Sequence, residues 1–260
     1  MMAGSKALPL LFLLALVTLS SAPAMATSKF DFFYLTLMWP GAYCNSGLFS
    51  KCCRPTTGKP ALDFFVQSLE TYDSSNGEPV TGCSTDCRFS VNALRKLIDD
   101  LYAYWTDVSC PSNNGRQQWE NVWCSYGTCS NFNETYYFQR ALALRAQVDL
   151  LSLLKANGIV PSSDKLYKLE DIQDALIPTL GFSTVVECNK KWVLGESQLY
   201  KIRICVSSDA KTIISCPIQK SSSCGSKVKF LPFNPKQLPV GSAHNMANPI
   251  EMTAAIDMDM

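Results

Sequence analysis

The sequence predicts a single α+β domain in which an antiparallel sheet packs with several helices and disulfides staple the chain. Two observations lead to this fold class. Strand-like segments lie near both ends of the chain with helical patterns between them, whereas a βαβ fold would alternate the two. Twelve cysteines follow an N-terminal segment typical of secreted proteins, so disulfides are their expected state.

The first predicted strand covers residues 30–39 (FDFFYLTLMW), which are rich in aromatic and β-favouring side chains and end at Pro40-Gly41. A second strand is predicted over residues 63–69. Near the C-terminus, apolar and polar residues alternate over residues 200–206, as in a half-buried strand. Residues 212–216 are expected to pair with that strand in antiparallel orientation.

Helices are predicted in the middle of the chain. Ser90 is expected to cap a helix with the apolar stripe Leu94, Leu97, Ile98, Leu101 and Trp105. Further helices are predicted over residues 117–126, 136–157 and 169–176. The longest is expected to end at Gly158 and to turn inward Leu142, Ala146, Val148, Leu151 and Leu154.

Residues 1–26 are expected to form a signal peptide. Lys6 supplies a positive charge, residues 10–19 form a short apolar run, and Ala24-Met25-Ala26 matches a cleavage site. An uncleaved anchor is the less favoured alternative, and no later segment is apolar and long enough to cross a membrane. The folded domain is then expected over residues 27–236 of a secreted protein.

Residues 237–260 are expected to form a disordered tail because they contain no cysteine and many small residues and methionines. The run Asn248-Pro249-Ile250 is similar to a plant vacuolar sorting signal, so the tail is a candidate sorting propeptide. A frayed terminus without function is an equal alternative. The expected location is therefore extracellular or vacuolar.

Composition excludes several functions. The net charge of +1 and the pI of about 7.4 provide no strong field for attracting nucleic acid. The chain has one histidine, His244, and no Cys-x-x-Cys unit, so neither a metal site nor a cofactor is expected.

Three patches together resemble the T2 family of secreted ribonucleases, and its plant S-like members most closely. The first patch is FDFFY at residues 30–34 with Trp39-Pro40 and Tyr43-Cys44. The second patch is CCRP at 52–55 with TGKP at 57–60. The third patch is CPSNNG at 110–115 with Trp119, Trp123 and GTC at 127–129. The resemblance extends over almost all of residues 30–233 and implies a single ribonuclease T2-like domain.

The two signature blocks of that family, F-x-x-H-G-L-W-P and H-E-W-x-K-H-G-T-C, are degenerate in this chain. The histidine of the first block is replaced by Gln67, and its tryptophan by Glu70. In the second block the two histidines, the glutamate and the lysine are replaced by Asn121, Tyr126, Val122 and Ser125. Neither an amide nor a tyrosine is a competent base near neutral pH, so the resemblance implies a pseudoenzyme with no catalytic residue. Glu120 and Glu70 are weak candidates for rescue, because Glu120 should point elsewhere and Glu70 should repel a phosphate.

This interpretation favours a non-enzymatic protein of the secretory pathway with a storage, defence or stress-related role. Two alternatives stay open. One is an altered endoribonuclease that cleaves RNA by transphosphorylation to 2′,3′-cyclic phosphates. The other is a protein that binds RNA or nucleotides weakly in the old cleft. The sequence identifies no protein partner.

The resemblance also implies five disulfides, Cys44–Cys52, Cys53–Cys110, Cys83–Cys129, Cys188–Cys224 and Cys205–Cys216. Cys87 and Cys124 are then left over. They flank the third bridge at similar distances, so a sixth bridge between them is favoured over two thiols. Asn133-Glu134-Thr135 is a glycosylation sequon, and Asn133 is its candidate acceptor.

Overall fold

The computed structural model describes residues 29–46, 51–181, 184–192, 195–218 and 220–240. The expected signal peptide, the sorting motif and His244 lie outside the described residues. Ordered contacts extend past the expected domain boundary at residue 236, because the Pro239 carbonyl accepts a hydrogen bond from the Arg54 backbone at 2.7 Å.

The described part of the chain contains seven strands that join in one sheet, with α-helices and short 3-10 turns around it. The strands are β1 (Phe32–Met38), β2 (Phe65–Asp73), β3 (Glu78–Pro79), β4 (Leu166–Lys168), β5 (Val185–Asn189), β6 (Ser197–Ser207) and β7 (Lys227–Lys229). The helices are α1 (Pro40–Cys44), α2 (Ile98–Tyr104), α3 (Arg116–Ser125), α4 (Glu134–Val148), α5 (Leu150–Ala156) and α6 (Leu169–Leu180). The predicted α+β class is confirmed.

Strand β1 is the centre of the sheet, as its aromatic sequence predicts. All seven of its residues are buried, and it pairs antiparallel with β2 on one side and β6 on the other. The other strand pairs are also antiparallel, except that β6 and β7 run parallel over a short stretch. One face of β1 packs into the main core, and the opposite face carries Phe32, Tyr34 and Thr36.

The predicted strand over residues 212–216 forms only in part. Ile213 makes an isolated antiparallel bridge with Val206, and the Ile214 backbone donates to the Cys205 carbonyl at 2.9 Å. The disulfide between Cys205 and Cys216 closes this short turn, which leaves too few residues for a full strand.

The predicted helix over residues 136–157 is wrong in one respect, because the chain forms two helices there. Asp149 adopts a left-handed backbone with φ of 33° and ends α4. Its side chain then accepts a hydrogen bond from the Ser152 backbone as the N-cap of α5. The predicted inward position of Ala146 is also wrong, because the buried face of α4 passes through Leu144 and leaves Ala146 exposed.

Ser90 does not cap a helix through its side chain. A 3-10 turn (Val91–Leu94) follows it, and α2 begins only at Ile98. The Ser90 backbone N–H donates to the carboxylate of Glu134, in the first turn of α4. The apolar residues of the predicted stripe still pack inward, with Leu94, Leu101 and Trp105 fully buried.

The structure forms the five expected disulfides and also joins Cys87 to Cys124, so all twelve cysteines are paired. The Cys83–Cys129 and Cys87–Cys124 bridges both fasten residues 82–87 to the C-terminal end of α3. Within the described residues, no group of three or more His, Cys, Asp or Glu is arranged to hold a metal. None of the described helices combines the length and the hydropathy that crossing a bilayer requires.

Replacing Cys87 and Cys124 together by serine should destabilise the fold. The bridge joins residues 37 apart in sequence, and such a loop contributes roughly 2 to 4 kcal/mol to the free energy of unfolding. Urea unfolding followed by tryptophan fluorescence measures the change. Thr85→Ala, at an exposed position in the same segment, is the matched control and should leave stability unchanged. A double variant as stable as that control would contradict this role for the bridge.

Candidate functional site

A cleft of about 560 Å³ opens between the exposed face of the sheet and α3. Its floor comes from β2 and β6, one wall from α3, and the other wall from α1 and the segment after α2. The lining residues are Tyr43, Gln67, Ser68, Glu70, Asp107, Ser109, Gln117, Gln118, Asn121, Val122, Tyr126 and Lys201. The cleft therefore contains five of the six signature positions predicted from the sequence to be degenerate, Gln67, Glu70, Asn121, Val122 and Tyr126.

Gln67 reaches the cleft because β2 contains a bulge at this residue. Ser68 pairs with Thr36 and Val66 with Leu37, so Gln67 has no partner on β1. A bulge residue falls outside the regular alternation of a strand, and its side chain can be directed independently. The Oε1 atom of Gln67 is buried and has no hydrogen-bond partner in the structure.

Helix α3 directs one face to the core and the other to the cleft. Gly115 begins the helix with φ of 73°, a backbone that favours glycine. Trp119 and Trp123 are buried, as predicted, and their indole N–H groups donate to the Trp105 and Arg88 carbonyls at 2.7 and 3.0 Å. These anchors turn the opposite side of the helix, with Asn121, toward the cleft.

Two candidate residues of α3, Ser125 and Glu120, lie outside the cleft. Ser125 does not line the cleft; its carbonyl accepts a hydrogen bond from the Gly82 backbone in the disulfide-bonded segment. Glu120 is exposed and does not line the cleft either, which agrees with the expectation that it points elsewhere.

Just beyond the helix, a Cβ atom on Gly127 would lie 2.0 Å from the Trp123 ring, so a side chain cannot fit there.

Glu70 forms a buried ion pair with Arg203 at the floor of the cleft. The two side chains are only 13% and 12% exposed. The Glu70 carboxylate also accepts hydrogen bonds from Thr36 at 3.1 Å and Ser68 at 2.6 Å. The Arg203 guanidinium lies over the Tyr34 ring at 4.4 Å, a cation–π contact. The sequence predicts that Glu70 repels a phosphate. The structure reduces that effect, because the charge of Glu70 is paired with that of Arg203.

Lys201 is the basic residue among those lining the cleft. It lies next to Arg203 on the same face of β6, opposite Glu187 on β5. Burial lowers the pKa of Lys201, and the nearby carboxylates of Glu187 and Glu70 oppose that shift. No motif in the sequence assigns Lys201 or Arg203 to the site. Their alternation with apolar residues on β6 places them on the face opposite the core, but it does not show which strand lies beside them.

The phenols of the cleft stay protonated across the physiological pH range. Burial raises the pKa of Tyr126, and the Glu70 carboxylate adds to the shift. Burial likewise raises the pKa of Tyr43, with a further contribution from Asp107. Asp107 accepts hydrogen bonds from both the backbone and the hydroxyl of Ser109. The cleft thus offers amides, hydroxyls and phenols as hydrogen-bonding groups.

The glycosylation candidate lies away from the cleft. Asn133 is exposed and is the N-cap of α4, where its Oδ1 atom accepts a hydrogen bond from the Tyr136 backbone at 2.9 Å. A glycan would be attached through the amide nitrogen, so capping and attachment are compatible.

The chain is similar in sequence and structure to known ribonucleases. A family model described as the ribonuclease T2 family matches residues 30–216. Ribonuclease 3 of Arabidopsis thaliana is 40% identical over 206 residues, which cover 78% of this chain and 90% of that protein. Extracellular ribonuclease LE of Solanum lycopersicum is 34% identical over 235 residues, 89% of this chain and 100% of that protein. The crystal structure of RNase NT in complex with 5′-AMP superposes with a TM-score of 0.73 at 37% identity, covering 79% of this chain and 100% of that one.

Breaking the ion pair at the floor of the cleft should cost far more than removing it whole. Glu70→Ala leaves the buried Arg203 with only the Glu187 carboxylate, at 3.6 Å, and should lower the free energy of unfolding by about 3 kcal/mol, the lower end of the range for a broken buried pair. The double variant Glu70→Leu with Arg203→Met should lose much less, because no charge is then buried. Chemical unfolding of both variants measures the difference.

The exposed pair Arg88–Asp86, with side chains 88% and 76% exposed, is the matched control. Asp86→Ala should leave stability unchanged because solvent screens such a pair. Equal losses in Glu70→Ala and Asp86→Ala would contradict a structural role for the buried pair.

Proposed function

The chain belongs to the ribonuclease T2 family, and we propose that it is a non-catalytic member that reuses the family's scaffold in the secretory pathway. Its role there is storage, defence or stress response rather than RNA cleavage. The observation that supports this proposal is the chemistry of the cleft, in which the positions of the family's histidines and glutamate carry side chains unable to exchange a proton near neutral pH, namely Gln67, Asn121, Val122 and Tyr126.

RNA cleavage by transphosphorylation sets definite chemical demands. A base must take the proton of the 2′-hydroxyl, an acid must protonate the leaving 5′-oxygen, and donors must stabilise the phosphorane-like transition state. Histidine suits both proton transfers because its pKa lies near the working pH. In this cleft, Gln67 and Asn121 are amides, Val122 is apolar, and Tyr126 has a raised pKa.

The charged groups of the cleft do not replace the missing pair. Glu70 is bound by Arg203 and by two hydroxyl donors, so its lone pairs are already engaged. Lys201 offers a positive charge and one exchangeable proton, but a single residue cannot serve as the base and the acid of the same step. Glu120 could serve as a substitute base only if it lay in the cleft, and it does not line it.

The alternatives from the sequence concern the same cleft. Relatives named as ribonucleases are the argument for an altered endoribonuclease, which would need a catalyst outside the signature positions. RNase NT was crystallised with 5′-AMP, and this is the argument for weak nucleotide or RNA binding. The carboxylate of Asp107 in the cleft opposes both, because it lowers the potential at a phosphate, and Glu70 cancels the positive charge that Arg203 would otherwise offer.

The processing of the chain follows the secretory route in this proposal. Residues 1–26 are removed as a signal peptide, Asn133 carries an N-linked glycan, and the mature protein is extracellular or vacuolar. Residues 237–260 contain the candidate vacuolar sorting signal. Exposure of Asn133 supports the glycosylation, since the acceptor must be accessible to the transferase.

Purified protein should show no RNA cleavage in an in-gel assay from about pH 4 to 8, the range in which histidine-based catalysts work. The triple variant Gln67→His, Val122→Glu and Tyr126→His should cleave RNA at least about 10²-fold faster than the unmodified chain, because it restores proton-transfer groups at positions that line the cleft. Recovery should remain partial while Glu70 occupies the floor.

Gln173→His, on α6 and away from the cleft, is the control for the mere addition of histidine and should gain no activity. Clear cleavage by the unmodified protein that disappears in Glu120→Gln would refute the proposal and identify Glu120 as a replacement catalyst.

A further inference from the structure

We propose that the cleft between α3 and the sheet binds a neutral oligosaccharide. The inference rests on the proposed loss of RNA cleavage, since it assigns a ligand class to the same cleft. It is carried by the kinds of hydrogen-bonding groups that line the cleft, by the balance of charge at its floor, and by two buried acceptors that have no partner.

The first observation is the donor and acceptor set. Gln67, Gln117, Gln118 and Asn121 bring four side-chain amides to the cleft, with the serine hydroxyls and the phenols beside them. An amide donates through one atom and accepts through the other. Sugar hydroxyls also do both, so each hydroxyl can bridge neighbouring groups of such a wall. The cleft volume of about 560 Å³ is in the range of ligand sites in general.

The second observation concerns the unpartnered acceptors. The Oε1 atoms of Gln67 and Gln118 are both buried and have no hydrogen-bond partner in the structure, and both residues line the cleft. A buried acceptor without a donor costs free energy, and rotation of either amide toward the cleft would let a ligand hydroxyl donate to it. A phosphodiester group has no proton to donate to these two atoms, so in a nucleic acid only a ribose hydroxyl or a base amino group could satisfy them.

The third observation is charge. Glu70 and Asp107 line the cleft together with Lys201, and the charge of Arg203 beneath them is taken up by Glu70. The cleft therefore lacks the excess of positive charge that draws a polyanion. The carboxylate of Asp107 is instead a strong acceptor for a ligand hydroxyl group.

The wall formed by α1 adds an aromatic surface. Tyr43 lines the cleft, and its ring is stacked on Tyr200 with a 12° angle between the planes and 6.5 Å between centroids. Stacking holds the Tyr43 ring in place, and the raised pKa of its phenol keeps it protonated as a donor. A fixed ring with a polar tip suits a ligand that presents both C–H and O–H groups.

Isothermal titration of the full mature protein tests the proposal with named probes. These are cellotetraose, xylotetraose and mannotetraose as neutral ligands, with 5′-AMP and a short RNA as anionic ligands. At least one tetrasaccharide should bind, with an affinity that changes by less than about twofold between 50 and 500 mM salt, because no charge is neutralised.

Gln67→Leu and Gln118→Leu should each weaken that binding about five- to tenfold, the effect expected for losing a hydrogen bond in a shielded site. Gln173→Leu, which removes an amide from α6 outside the cleft, is the matched control and should bind normally. Unchanged melting temperatures would show that the two cleft variants are folded.

Absence of binding by all three sugars would overturn the inference, as would sugar binding that neither Gln67→Leu nor Gln118→Leu weakens. Salt-dependent binding of 5′-AMP or RNA that Gln67→Leu reduces would overturn it in favour of a nucleotide site. RNA cleavage in the same preparation would instead contradict the proposed function, so the two failures are distinguishable.

Discussion

A carboxylate and a guanidinium, those of Glu70 and Arg203, meet across the central strand β1 at the floor of the cleft. Taking both charges out of water is costly, and the pair is stable only because further contacts surround it. Thr36 and Ser68 donate to the carboxylate, and the Tyr34 ring lies against the guanidinium. Burial works to lower the pKa of Arg203, but Glu70 and the neighbouring groups outweigh it and raise the pKa, so the guanidinium stays charged.

The antiparallel register of β1 determines which groups meet there. Tyr34 faces Glu70 on β2, and Thr36 faces Arg203 on β6. The bulge in β2 at Gln67 then turns an amide into the cleft just beside the pair. A floor of this kind is rigid and almost neutral, which suits hydrogen bonding to an uncharged ligand better than the capture of a phosphate.

Two disulfides and two buried tryptophans hold the wall formed by α3. The Cys87–Cys124 bridge ends inside α3 itself, next to Trp123 in the sequence, and the Cys83–Cys129 bridge closes the turn that follows the helix. The helix is therefore fastened on its core side and at its C-terminal end. Its cleft face contributes little to these anchors, which agrees with the proposal that the signature positions differ while the scaffold is kept.

Much of the architecture could be predicted from the sequence because buried apolar residues recur with the period of the strand or helix that contains them. The aromatic run of β1, the alternation of β6 and the tryptophan spacing of α3 all indicated elements that the structure contains. The break at Asp149 could not be foreseen, since the residues on both sides favour a helix and only the local capping bond decides the outcome. The ion pair was missed because Glu70 and Arg203 are 133 residues apart, and no local pattern records which strands become neighbours.

In the proposed function, this cleft holds no acid and base able to cleave RNA. Mass spectrometry of a short RNA incubated with the homogeneous protein tests it most directly, because the 2′,3′-cyclic phosphate end is the product specific to this chemistry. We expect cyclic phosphate ends to form no faster than in a buffer control over about pH 4 to 8, the range in which histidines transfer protons. Cyclic ends that accumulate in proportion to protein concentration would contradict it.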